Sequence, residues 1–164
     1  MPKHYVQRPV GRAELQALTT LAKAEEAAFF ERNRHLVRPY RDRLIAVALC
    51  QGAALQYLRL GYGVNDFDVH FFYSQNPQKP RLTRAGKRVH SDVGRFKNIP
   101  VDFLRTVVPA RVKVARTAGR LAILEAFLEQ TPTPNARHLA EKAVVGLMPE
   151  AIFGVIVWQP ADPG

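Results

Sequence analysis

The chain has 164 residues, 47% of them hydrophobic and 23% charged, a globular composition that argues against general disorder and fits one domain with a core of its own. The longest apolar stretches, Leu44 to Cys50 and Ala151 to Trp158, are far shorter than the roughly 18–20 residues of a membrane helix. Twenty-four Lys and Arg against fourteen Asp and Glu give a net charge of +10, which points to a polyanionic partner, most often nucleic acid, or to an anionic substrate.

Leu15, Leu18, Leu21, Ala22, Ala28 and Phe29 recur at helical spacing and predict an N-terminal helix over 12–31. Leu44 to Cys50 is apolar throughout and predicts a buried strand. A turn at Gly52 and a short helix ending near Gly61 are expected after it. Gly61-Tyr62-Gly63 is a break. Phe67, Val69, Phe71 and Tyr73 then alternate with Asp66, Asp68, His70 and Phe72, the period of a second strand. Ser74 to Pro80 reads as a polar loop, and 81–98 as a helical turn followed by an extended piece. Ile99 to Leu104 is a third strand, with Pro100 favouring its start or an edge. Residues 110–130 read as a second long helix with Val112, Ala115, Leu121, Leu124 and Leu128 as its buried stripe. Thr131-Pro132-Thr133-Pro134 ends it. Asn135 is expected to cap a third helix running to about Gly146. Ile152 to Trp158 reads as a last strand, and 161–164 as a frayed tail.

The basic residues are clustered. Between Arg81 and Arg120 there are eleven of them against Asp92 and Asp102, a net of +9. A second cluster is Arg32, Arg34, Arg38, Arg41 and Arg43, with Asp42. Clustered charge focuses a field better than scattered charge.

Asp66 and Asp68 carry the most chemistry. Two positions apart on a strand, their carboxylates share one face about 7 Å apart. Such a pair repels unless a cation lies between them, and a hard divalent ion such as Mg²⁺ prefers oxygen ligands. Both lie in an apolar, aromatic strand, where uncompensated acids are costly. Asp102, flanked by Val101 and Phe103, is a further acid in an apolar strand. Upstream, Cys50-Gln51-Gly52-Ala53 closes an apolar run at a strand-to-helix turn, a place where backbone N–H groups can meet a phosphate.

Taken together, Cys50-Gln51-Gly52-Ala53, Asp66-Phe67-Asp68-Val69 and Val101-Asp102-Phe103 resemble the polymerase-β-type nucleotidyltransferase superfamily. Its pattern is an apolar residue, Gly, and Ser or Gly, then an apolar-flanked Asp-x-Asp, then one more acid on a later strand. The resemblance covers residues 44–104, about a third of the chain. Ala53 departs from it, since an alanine offers only its backbone N–H. The resemblance implies an α+β fold: one domain over 1–164 with a twisted mixed β-sheet and flanking helices, the catalytic core at about 40–105 and C-terminal helices and strand over 110–158. It also implies two-metal phosphoryl transfer. Asp66, Asp68 and Asp102 would be the catalytic and metal-binding residues, for Mg²⁺ or Mn²⁺. Gly52 and Ala53 would cradle the phosphates of an NTP, and Arg84, Lys87 or Arg88 would neutralise phosphate charge. The products would be a nucleotidylated acceptor and pyrophosphate. The net charge favours RNA, such as a tRNA end, as acceptor, with protein as a second option. Small stand-alone members of the superfamily suggest a toxin–antitoxin or phage-defence setting, with a partner protein or a homodimer.

The alternative is a non-catalytic, basic nucleic-acid-binding module whose acids serve only structure; a third reading is a subunit whose basic face docks on an acidic protein. Other chemistry finds no support. Cys50 stands alone, so neither an intramolecular disulfide nor a cysteine-rich zinc site is expected. The histidines lack metal-ligand spacing, and no serine-hydrolase or Walker-type motif occurs. His70 reads as structural or solvent-facing, and Trp158, Ile156 and Phe153 as core. The N-terminus leads into no signal-like run, so the expected location is cytoplasmic and no membrane partner is expected.

Overall fold

The structure, a computed structural model, describes residues 5–59, 61–79, 81–82 and 86–160. The elements in chain order are α1 (Arg12–Arg32), α2 (Val37–Tyr40), β1 (Leu44–Cys50), α3 (Gln51–Leu58), β2 (Phe67–Ser74), β3 (Lys87–Val93), β4 (Phe96–Val108), α4 (Arg120–Gln130), α5 (Pro134–Ala140), β5 (Val144–Met148) and β6 (Ile156–Trp158). The fold is α+β, as expected. Its six strands form one mixed sheet in the order β3-β4-β2-β1-β5-β6. β2 and β4 are parallel, and the other neighbours are antiparallel.

The side-chain alternation of the strands divides the core into two layers. Val47, Leu49, Phe67, Val69, Phe71 and Phe103 face α1, whose Leu15, Leu18, Ala22 and Phe29 are buried against them. Ala46, Ala48, Cys50 and Phe72 face the opposite side, where Leu124, Phe127 and Leu128 of α4 and Leu139 of α5 cover them. β1 is therefore apolar at consecutive positions because both its faces are buried. At the start of α1, Glu14 is buried and accepts bonds from the N–H groups of Gly11 and Arg95, at 2.8 and 3.1 Å. This joins the helix to the β3–β4 turn. Gly94 in that turn has φ +56, and a Cβ there would overlap the Glu14 carboxylate.

Several sequence expectations are corrected. α3 begins directly at Gln51, so Gly52 lies in its first turn and is not a separate turn, and the helix ends at Leu58. The stretch 81–98 forms no helical turn among its described residues; it supplies β3 and the start of β4. Pro100 is tolerated within β4 because residues 96–100 extend beyond β2 and pair only with β3. The expected helix over 110–130 begins only at Arg120. Before it, the Gln130 side chain bonds the backbone N–H and C=O of Lys113 at 2.8 and 2.6 Å, so this segment is tied to the end of α4 without being helical. Val112 is buried there, while Ala115 is exposed. α5 is capped by Thr133, whose hydroxyl accepts from the Ala136 N–H at 3.1 Å. Asn135 instead donates to the Thr106 hydroxyl at 2.8 Å. α5 stops at Ala140, and Val144–Met148 is strand β5 against β1. The last strand is only Ile156–Trp158, because Glu150–Ile152 forms a 3-10 turn. Trp158 donates its indole N–H to the Ala140 carbonyl at 2.9 Å, while Ile156 is exposed. The tail 161–164 lies outside the described residues. No helix among the described residues is long and apolar enough to cross a membrane.

Candidate metal centre

One transverse row across the sheet builds the site. Arg88 of β3 pairs with Asp102 of β4, Asp102 with Asp68 of β2, Asp68 with Cys50 of β1, and Cys50 with Val144 of β5. Asp66 immediately precedes β2. The carboxylates of Asp66, Asp68 and Asp102 each offer an oxygen such that all three lie within 4.8 Å of one another. All three acids are half-buried. They lie on the face that α4 and α5 cover further along the strands, while α1 packs on the other face. Helices thus flank the sheet on both faces.

The electrostatics follow from this crowding. Burial, then the neighbouring charges of Asp66 and Asp102, push the Asp68 carboxyl up to about 7; Arg88 and Lys142 act in the opposite sense. The buried Cys50 thiol is pushed well above its ordinary value by burial and by Asp68, so it fills the strand as a small apolar residue. Arg88 meets Asp102 in a two-pronged ion pair, Nε to Oδ1 at 2.6 Å and Nη2 to Oδ2 at 2.7 Å. Its Nη2 also lies 3.6 Å from Asp66 Oδ2.

α3 starts beside this row, because Cys50 is opposite Asp68. Gln51 takes the left-handed conformation, φ 64, at the strand-to-helix junction. The first-turn N–H groups of a helix have no intrahelical acceptor and carry its positive dipole end. A Cβ on Gly52 would meet no atom within 4 Å, so the backbone there is open to approach. Ala53 is buried, with its methyl in the α1-side core, leaving its N–H as the only group it offers.

The chain matches no family model, no curated protein and no solved structure.

Of the three basic residues expected near phosphates, Arg88 reaches the acids. Lys87 lies one position away on the same strand, opposite Phe103, and Arg84 is outside the described residues. Lys142, whose charge acts on Asp68, was missed by sequence reasoning. It stands 74 positions from Asp68 and is brought near by the β1–β5 pairing, which no local pattern signals. His70 is buried, not solvent-facing. It stacks on Phe72 with ring centroids 6.0 Å apart, and burial, followed by His138, lowers its pKa to about 4.

The basic stretch 81–120 is not one face. Arg105 is buried beneath α1, 3.6 Å from the centre of the Phe29 ring and ion-paired with Glu25. Lys97 pairs with Asp92 at 3.6 Å, and Arg111 donates to the Pro132 carbonyl at 2.6 Å. Much of the second cluster gathers in a groove of about 980 Å³ lined by Arg34, Arg38 and Arg41 together with Lys23 and Arg120. The groove includes Leu44 at the start of β1, about 20 Å along the strand from Cys50.

Proposed function

We propose that the chain is a metal-dependent nucleotidyltransferase that moves a nucleoside monophosphate from an NTP to an acceptor hydroxyl. The observation that carries this reading is the convergence of Asp66, Asp68 and Asp102 within 4.8 Å, beside the open first turn of α3. The donor set fits a hard divalent cation. It consists only of carboxylate oxygens, and the negative charges of Asp66 and Asp102, which after burial raise Asp68, are ones that a cation relieves. Asp66, Asp68 and Asp102 would hold Mg²⁺ or Mn²⁺. Bound there, the ion would supply Lewis-acid stabilisation of phosphate oxygens.

The chain's own groups account for the remaining roles. The N–H groups of Gly52 and Ala53 bind the phosphate chain of the NTP, which the first turn of α3 favours electrostatically. Asp102 takes the proton of the acceptor hydroxyl. The acceptor oxygen forms its bond to the α-phosphorus as the bond to the β-phosphate bridging oxygen breaks, and pyrophosphate leaves. A chain of net charge +10 favours RNA as acceptor over a neutral small molecule.

The Arg88–Asp102 pair favours a second reading, a nucleic-acid-binding module whose acids are neutralised internally. One experiment separates the two. The protein is incubated with each α-labelled NTP, Mg²⁺ or Mn²⁺, and total RNA and protein, beside Asp66→Asn/Asp68→Asn. Label transferred by the wild type alone supports the transferase and identifies its acceptor class. No transfer, with salt-dependent RNA binding that survives the double substitution, supports the binding module.

A further inference from the structure

Arg88 grips the acid cluster directly. It engages both oxygens of Asp102, at 2.6 and 2.7 Å, and reaches to 3.6 Å from Asp66. Its backbone position is set by the register of β3, the terminal strand of the sheet, directly opposite Asp102. Its side chain is 54% exposed, so an incoming phosphate can reach the guanidinium without any rearrangement of the core. Guanidinium binds carboxylate and phosphate with the same two-pronged geometry. The three acids carry three negative charges when ionised, and Arg88 cancels one. Moving Arg88 from the cluster to a phosphate therefore restores one negative charge for a divalent cation.

Resting on the reading of Asp66, Asp68 and Asp102 as a metal centre, we propose that Arg88 is an exchangeable counter-ion. It holds Asp102 through both carboxylate oxygens; a polyphosphate chain draws it away, which frees Asp102 for metal and for the acceptor's proton. Arg88 is thus a positioning residue that makes metal loading and phosphate binding mutually dependent, and such coupling is reciprocal between the two ligands.

The test is Mn²⁺ titration of the full chain, followed by electron paramagnetic resonance, for wild type, Arg88→Gln and Lys97→Gln. Lys97 lies on the same hairpin but pairs with Asp92, so it controls for the loss of one positive charge. Arg88→Gln is expected to bind Mn²⁺ about tenfold more tightly than wild type, and Lys97→Gln to change the affinity by less than about twofold. At saturating Mg²⁺, Arg88→Gln is expected to bind tripolyphosphate about tenfold more weakly, and Arg88→Lys to recover part of the loss. Thermal melts confirm that the variants fold. Unchanged Mn²⁺ affinity in Arg88→Gln, or equal tightening in Lys97→Gln, overturns the proposal and leaves the metal centre standing. Tighter Mn²⁺ binding with unchanged tripolyphosphate binding also overturns it, because no exchange then takes place. Absence of Mn²⁺ binding in every protein overturns both readings.

Discussion

Asp68 and Asp102 stand directly opposite one another on the parallel strands β2 and β4. Like charges in register are destabilising, and Asp66 adds a third carboxylate within 4.8 Å. Burial first, and then the like charges of Asp66 and Asp102, raise Asp68 to about 7, with Arg88 and Lys142 acting in the opposite sense. The arrangement costs stability in the absence of a cation, which makes its effect measurable by melting.

Mg²⁺ or Mn²⁺ at millimolar concentration is expected to raise the wild-type melting temperature by a few degrees, as binding to the folded state alone requires. Asp68→Asn is expected to melt higher than wild type without metal, and to lose the metal-dependent rise and the proposed transferase activity. Differential scanning fluorimetry with and without metal checks this. A variant that melts lower and still responds to metal contradicts it.

Two opposed pH effects are expected on this face. Asp68, with its folded value raised to about 7, contributes stability that is fully present below about pH 4 and lost as pH rises through 7. His70, lowered to about 4, contributes stability that is present above about pH 6.5 and lost as pH falls through 4. Relative to wild type, Asp68→Asn should therefore become less stable as pH falls from 7 to 4. His70→Gln should become relatively more stable over the same range. Urea unfolding at several pH values measures both differences, and a flat difference for either residue refutes its assignment.

The Glu25–Arg105 pair is structural. Both side chains are almost completely buried, at 7% and 1% exposure, and Arg32 adds a second cation on Glu25 at 3.1 Å. Glu25→Gln leaves the Arg105 guanidinium without its carboxylate and is expected to cost about 3–5 kcal/mol. At this chain length that is a drop of about 2–4 °C in melting temperature per kcal/mol. The double change Glu25→Leu/Arg105→Met should restore most of the loss. Thermal and chemical unfolding decide, and a cost below about 1 kcal/mol would mean that the pair is solvated.

Two glycines are expected to separate stability from function. A Cβ on Gly146 would lie 2.1 Å from the backbone oxygen of Ile152, which cannot swing aside as a side chain can. Gly146→Ala should cost at least about 2 kcal/mol. Gly52 has open space at the same test, so Gly52→Ala should fold with stability equal to or above wild type. Its methyl would nevertheless stand where a phosphate approaches, and NTP binding should weaken. Paired melts and nucleotide titrations measure the contrast.

Local pattern alone determined much of this protein. The apolar run of β1 and the alternation of β2 follow from which faces are buried, and both strands form close to where periodicity places them. The helical spacing of Leu15, Leu18, Ala22 and Phe29 likewise gives α1. The Asp-x-Asp and the later Asp102 were visible as acids placed where an apolar strand makes them costly. What depends on partners distant in sequence was decided only by the tertiary structure. Residues 110–119 stay non-helical because Gln130 bonds the backbone of Lys113, and Val144–Met148 becomes a strand because β1 offers it an open edge. Arg105 and Arg88 are alike in the sequence, two arginines in one basic stretch. The sheet sends one into the α1-side core beside Glu25 and sets the other at the surface over Asp102. The pleat and the register of β3 against β4 decide that difference, and both emerge only when the strands pair.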